Sequence, residues 1–96
     1  MREITKARFN AYKNRASVAG LTFGLTYAEF MAHWQKPCSY CGVPIPTIGL
    51  DRVDNALGYM MGNIVPCCFT CNVVKGSDTR EVFLARCRRI AELHPC

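Results

Sequence analysis

Apolar positions in the first 19 residues recur at helical spacing. Phe9, Tyr12 and Ala16 follow one another at intervals of three and four and share one face. Arg2, Lys6 and Lys13 flank that face on one side, Arg8 and Arg15 on the other. The pattern predicts a helix over 2–18 that ends at Gly20, the residue best suited to a left-handed helix terminus. A second helix is predicted from Thr26, where Thr26 and Glu29 have the spacing of a capping box, to about Gln35, with Pro37 as its stop. Beyond Pro37 the pattern shortens. Gly42, Pro44, Pro46, Gly49 and Gly58 punctuate residues 38–66 and leave room only for loops and short strands. Strands are predicted over 48–53 and 63–65, with Asp54–Gly58 as the loop after the first. Helical spacing returns over Phe69–Lys75, and again from Ser77 or Asp78 to about Leu93, where Phe83, Cys87 and Ile90 mark a buried stripe. The expected fold class is a small α+β domain.

Length supports a single domain. At 96 residues the chain buries a limited core and benefits from a staple. Half of its residues are hydrophobic, which excludes a disordered chain, and no apolar run approaches the ~20 residues of a membrane span. The basic N-terminal stretch has no apolar segment of leader type, so an intracellular, cytoplasmic protein with no membrane partner is expected.

The net charge of +5 is uneven. Residues 1–20 carry five basic side chains against Glu3, and residues 75–96 carry Lys75, Arg80, Arg86, Arg88 and Arg89 against Asp78, Glu81 and Glu92. The segment between is close to neutral. Basic ends around a neutral centre fit a polyanionic partner, so nucleic acid is expected, with Lys6, Arg8, Lys13, Arg15, Arg52 and Lys75 as its contacts.

The seven cysteines are Cys38, Cys41, Cys67, Cys68, Cys71, Cys87 and Cys96. An odd count in an intracellular setting disfavours a disulfide framework and favours metal. Cys38-Ser39-Tyr40-Cys41 and Cys68-Phe69-Thr70-Cys71 are two C-x-x-C pairs, a spacing that lets both thiolates of a pair reach one tetrahedral ion. Cys67 competes with Cys68, but only Cys68 completes the motif with Cys71. Four thiolates leave no open coordination position, so the expected metal is a structural Zn²⁺. The 26 residues between the pairs leave room for a hairpin. Cys87 is expected in the core and Cys96 as a free terminal thiol.

The run Ile48-Gly49-Leu50-Asp51-Arg52-Val53-Asp54-Asn55, then Gly58-Tyr59, then Asn63-Ile64-Val65-Pro66-Cys67-Cys68, then Cys71-Asn72-Val73-Val74-Lys75-Gly76 resembles the zinc-bearing HNH endonucleases of phages and mobile elements. The resemblance covers residues 37–76 closely and reaches loosely into both flanks. It implies a treble-clef zinc site that holds a ββα-metal motif over 37–76, between a basic helical arm over 1–36 and a C-terminal helix over 77–96. It implies that Asp51 and Asn72 bind a catalytic divalent metal, that Asn63 fastens the hairpin loop, and that the substrate is double-stranded DNA. A carboxylate and an amide oxygen are hard ligands suited to Mg²⁺ or Mn²⁺. The implied source is phage or bacterial.

The sequence departs from the family at one place. The position after the aspartate usually carries a histidine as general base, and here it is Arg52. Arginine stays protonated and cannot be a base, although it can hold a phosphate. His33 and His94 lie outside the motif. Tyr59, within the hairpin, is the candidate replacement base, with Tyr40 second. Three readings follow: a metal-dependent DNA endonuclease or nickase with an altered base, a catalytically silent DNA-binding HNH domain, and a small zinc-stabilised phage protein that binds and modulates a host protein.

Overall fold

The computed structural model describes residues 2–95, with side chains from Lys6 onward. Cys96 and the side chain of Arg2 therefore lie outside the described residues. The first helix, α1 (Arg2–Ala19), ends as the sequence predicts. Gly20 takes φ 71°, and the amides of Gly20 and Leu21 close onto the carbonyls of Ser17 and Ala16. α2 (Tyr27–Met31) opens with the predicted capping box. The Glu29 amide donates to Thr26 Oγ1 at 3.1 Å, and the Thr26 amide donates to Glu29 Oε1 at 2.9 Å.

α2 stops earlier than expected. Residues 32–36 continue as tight turns, and Gln35 adopts φ 56°. That conformation sends the Gln35 amide to Thr47 O and its side chain to Pro46 O, tying the end of α2 to the loop before the first strand.

The strands β1 (Leu50–Arg52) and β2 (Ile64–Pro66) pair antiparallel, with Leu50 opposite Pro66, Asp51 opposite Val65 and Arg52 opposite Ile64. β1 is shorter than the predicted 48–53, and β2 keeps the predicted three residues but is displaced by one from 63–65. Further backbone bonds, from Cys67 N to Gly49 O and from Val53 N to Asn63 O, continue the pairing at each end. Glycine is required at position 49, because a Cβ there would strike the Cys67 carbonyl. α3 (Phe69–Lys75) has its predicted bounds.

α4 (Arg80–Leu93) begins later than Ser77 or Asp78. The Asn55 side-chain amide donates to the carbonyls of both Ser77 and Asp78, and Thr79 Oγ1 accepts from the Val82 amide as the true cap. The expected stripe on α4 is also corrected. Phe83 is buried against the Tyr40 ring, with centroids 5.2 Å apart, whereas Cys87 and Ile90 are exposed because α4 runs off the body of the protein.

The core gathers Tyr12 from α1, Leu25, Phe30 from α2, Ile48, Leu50 and Ile64. Phe9 meets Phe23, Tyr27 and Phe30 edge-on at 5.3–5.4 Å, a geometry that suits aromatic quadrupoles. Tyr12 also satisfies a backbone group: its hydroxyl accepts from the Leu50 amide at 3.0 Å and joins α1 to β1. Thr22 and Gly24 bond the backbone of Tyr59, which lays the 22–24 segment along the hairpin loop. Among the described residues no helix is long and apolar enough to cross a membrane.

Gly58 faces the backbone of Thr22 so closely that a Cβ would collide with it. Gly58→Ala should therefore destabilise the protein by about 1–3 kcal/mol, the usual range for overpacking. A fall in the urea midpoint with unchanged slope would report it, and an unchanged midpoint would contradict the packing described.

Candidate metal centre and active site

The two C-x-x-C pairs converge. Cys38 and Cys41 sit in a tight turn closed by the Gly42 amide on Cys38 O, with Gly42 at φ 78°. Cys68 caps α3, its Sγ accepting from the Cys71 amide at 3.4 Å, and Cys71 lies one turn into that helix. The Sγ atoms of Cys38, Cys41, Cys68 and Cys71 all lie within 4.8 Å of one another, and those of Cys41 and Cys68 are 3.8 Å apart. A tetrahedron with Zn–S bonds of ~2.3 Å has edges of about 3.8 Å, so the four sulfurs could hold a metal such as zinc.

The electrostatics agree. Burial works against the Cys38 thiolate, but backbone hydrogen bonds at Cys41, Cys68 and Tyr40 outweigh it and bring its pKa down to about 6. Burial and the neighbouring sulfurs push Cys71 well up. Sulfurs this close all ionise only with a cation among them. Cys67 is separate from the four. It is buried, its thiol donates to Cys68 O at 3.3 Å, and burial followed by the charge of Asp51 raises it to about 12. Cys68 thus belongs to the cluster that could hold a metal, and Cys67 is a core thiol. Cys87, expected in the core, is exposed.

Tyr40, between the first two cysteines of the cluster, reaches from it to β1. Its hydroxyl donates to Asp51 Oδ2 at 2.7 Å. Burial, then the hydrogen bond and charge of Asp51, raise the phenol far above its ordinary value, so Tyr40 is a donor here and not a base. Asp51 is only 4% exposed, and its other oxygen, Oδ1, accepts from Lys75 Nζ at 3.2 Å. Lys75, expected among the surface contacts to nucleic acid, is 1% exposed and forms a buried ion pair. The same ammonium donates to Arg52 O at 3.2 Å. Its position was legible in part: Lys75 follows Cys71 by four residues and Cys68 by seven, so it shares their inward face of α3.

The other expected site residues divide between the loop and an adjacent cleft. Asn63 is buried and stitches the hairpin loop. Its Nδ2 donates to Asp54 O and Gly58 O, and its Oδ1 accepts from Asp54 N. Arg52 turns toward the same loop, donating from Nη1 to Asn55 O at 2.7 Å and Leu57 O at 3.1 Å, with its guanidinium 5.5 Å from the Tyr59 ring centroid. The Tyr59 ring packs against Tyr12 and Phe23. Asn72 stands on α3 one turn before Lys75. It is exposed, and its side chain makes no hydrogen bond among the described residues. A carboxylate and an amide oxygen are hard donors of the type divalent cations take, and each Asp51 oxygen, engaged once, keeps a further lone pair.

Asn72 borders a cleft of about 590 Å³ that Arg8, Tyr12 and Arg15 line from α1. Arg8 donates from Nε and Nη2 to Ile48 O, and Arg15 lies 4.4 Å over the Tyr12 ring. Lys6 and Lys13 are exposed on the same helix. His33 contacts Glu29 O at 3.0 Å, and His94 caps α4 at the surface, so neither histidine joins the site.

No family model matches the chain. An uncharacterised protein of Acanthamoeba polyphaga mimivirus is 41% identical to it over 91 residues, which are 92% of this chain and 17% of that protein. The chain thus spans about a sixth of the length of that relative. Among solved structures it resembles the rare-cutting HNH restriction endonuclease PacI, with a TM-score of 0.73 over 93% of this chain and 78% of the other, at 23% identity. The architecture is therefore the small α+β fold of an HNH endonuclease, with four cysteines placed to bind a metal.

Purified protein should carry about one zinc per chain, and Cys41→Ser should lower both the zinc content and the folded fraction. Elemental analysis and near-UV CD would check this; a chain that stays folded after complete chelation would contradict it. The buried pair gives a second expectation. Lys75→Met leaves Asp51 as an uncompensated buried charge and should cost about 3–5 kcal/mol. Adding Asp51→Asn to that variant should recover part of the loss in urea unfolding. Equal stability of the single and double variants would show that the pair is not coupled.

Proposed function

We propose that this chain is a metal-dependent endonuclease or nickase that hydrolyses phosphodiester bonds in double-stranded DNA. The observation that carries the reading is the placement of Asp51. It lies on β1 beneath α3, held in one orientation by Lys75 and Tyr40, in the fold of an HNH endonuclease. In this reading Asp51 and Asn72 hold Mg²⁺ or Mn²⁺. When bound there, such an ion polarises a phosphate and neutralises charge on a leaving oxygen. Lys75 orients Asp51 through its contact with Oδ1. Asn63 fixes the loop that follows β1, so that Arg52 and Tyr59 keep a set position beside it. Arg52 offers donors to a phosphate from that position, and the Tyr59 phenol is the candidate acceptor for the proton of the attacking water. Lys6, Arg8, Lys13 and Arg15 bring positive charge along α1 to the DNA backbone. PacI, a restriction endonuclease of the same fold, supports DNA as the substrate class.

One observation favours a second reading, a DNA-binding domain without cleavage. Both Asp51 oxygens are engaged by protein donors, and Arg52, in place of a base, is turned onto loop carbonyls.

Zinc-loaded protein incubated with supercoiled plasmid and Mg²⁺ or Mn²⁺ separates the two. Nicked or linear product is expected from the wild type, reduced at least ~100-fold in Asp51→Ala and Asn72→Ala. A mobility shift of plasmid that stays supercoiled under both metals would overturn the nuclease reading and support the second.

A further inference from the structure

The cleft beside Asn72 has a chemistry of its own. One wall is basic. Arg8 is held by its two bonds to Ile48 O, which leave Nη1 without a hydrogen bond among the described residues, while Arg15 lies over the Tyr12 ring and makes no hydrogen bond or ion pair among them. The opposite wall is α3, where Phe69 is 84% exposed and Val73 is 61% exposed. A phenylalanine ring standing in solvent beside a metal centre is unusual for a small domain, and it marks a contact surface. Among the described residues no carboxylate lines the cleft to neutralise the two guanidiniums.

A ligand that suits these walls carries an anion at one end and a flat apolar ring at the other. A nucleotide has this form. The volume of about 590 Å³ lies within the ~300–1,000 Å³ of clefts that enclose small ligands. A base still stacked in a duplex cannot enter such a cleft, so the nucleotide must be unpaired. A free nucleotide has the same chemistry. The exposed Lys6 and Lys13 extend the basic surface of α1 past the cleft, and that extension favours a unit that is part of a longer polyanion.

We infer that the cleft between α1, the 44–49 loop and α3 receives one unpaired nucleotide of the bound nucleic acid, with its phosphate on Arg15 and its base against Phe69. The inference rests on the nucleic-acid part of the proposed function and not on cleavage. It gives Asn72, on the rim, a position between this subsite and the proposed cutting site.

Fluorescence anisotropy with two labelled duplexes tests it, one fully paired and one identical except for a single unpaired nucleotide. Zinc-loaded wild-type protein should bind the second at least about five-fold tighter, the lower bound for one base stacked on an aromatic side chain. Phe69→Ala, at an exposed position, should remove that preference and leave binding to the paired duplex unchanged. Phe69→Tyr should keep it, and Arg15→Ala should weaken the unpaired substrate more than the paired one. Equal affinity of the wild type for both duplexes, or a preference that survives Phe69→Ala, overturns the subsite and leaves the nucleic-acid reading standing. Failure to bind either duplex at low salt overturns both. Tight binding of a free nucleoside monophosphate, lost in Phe69→Ala and accompanied by no duplex preference, overturns the nucleic-acid form and assigns the cleft to the free nucleotide.

Discussion

Four sulfurs drawn within 4.8 Å of one another impose the constraint on which the rest of the structure depends. They join a turn at residues 38–42 to the start of α3 and enclose a hairpin of only three residues per strand. A two-stranded hairpin of that length has no independent stability. A metal held by the four sulfurs would fasten both ends of the enclosing loop at one point, and its binding energy, which reaches ~10 kcal/mol or more in small zinc domains, would offset the entropy lost in ordering it.

Asp51 lies within this enclosure. It accepts one hydrogen bond from Tyr40, which belongs to the first metal-binding turn, and another from Lys75, which belongs to the helix that begins at the second. The carboxylate thus bridges the two halves of the treble clef. An isolated buried charge would be expensive, and the Lys75 ammonium makes the position tenable. A residue chosen for stability alone would be apolar there. The buried pair is therefore intelligible as a means of orienting a carboxylate for chemistry.

Features encoded over a few residues were legible in the sequence. The Thr26–Glu29 capping box, the Gly20 terminus, the bounds of α3 and the clustered cysteine pairs follow from local spacing, and each appears where spacing puts it. Features that depend on distant partners were not. Lys75 was read as a surface charge because its counter-ion lies 24 residues away. The start of α4 was misread because Asn55, 22 residues earlier, captures the Ser77 carbonyl. The Phe83–Cys87–Ile90 pattern correctly gives one face of a helix, but periodicity carries no information on how far the neighbouring surface extends. Here it extends only to Phe83. The cleft with its exposed Phe69 was invisible for the same reason, since it exists only where α1 and α3 meet the 44–49 loop.

The departure of α4 from the body also makes the protein unequal along its length. Its first two turns are secured by the Thr79 cap, the Asp78–Arg86 ion pair and the Phe83–Tyr40 contact. Beyond Arg86 the helix has only its own backbone bonds to hold it, and isolated helices this short are marginal in water. The amides of its last two turns therefore open by local fraying, at a small fraction of the free energy needed to open the hairpin. The molecule, 44 Å in its longest dimension, thus pairs a packed end gathered around the cysteine cluster with a helical tail whose order decays toward its tip.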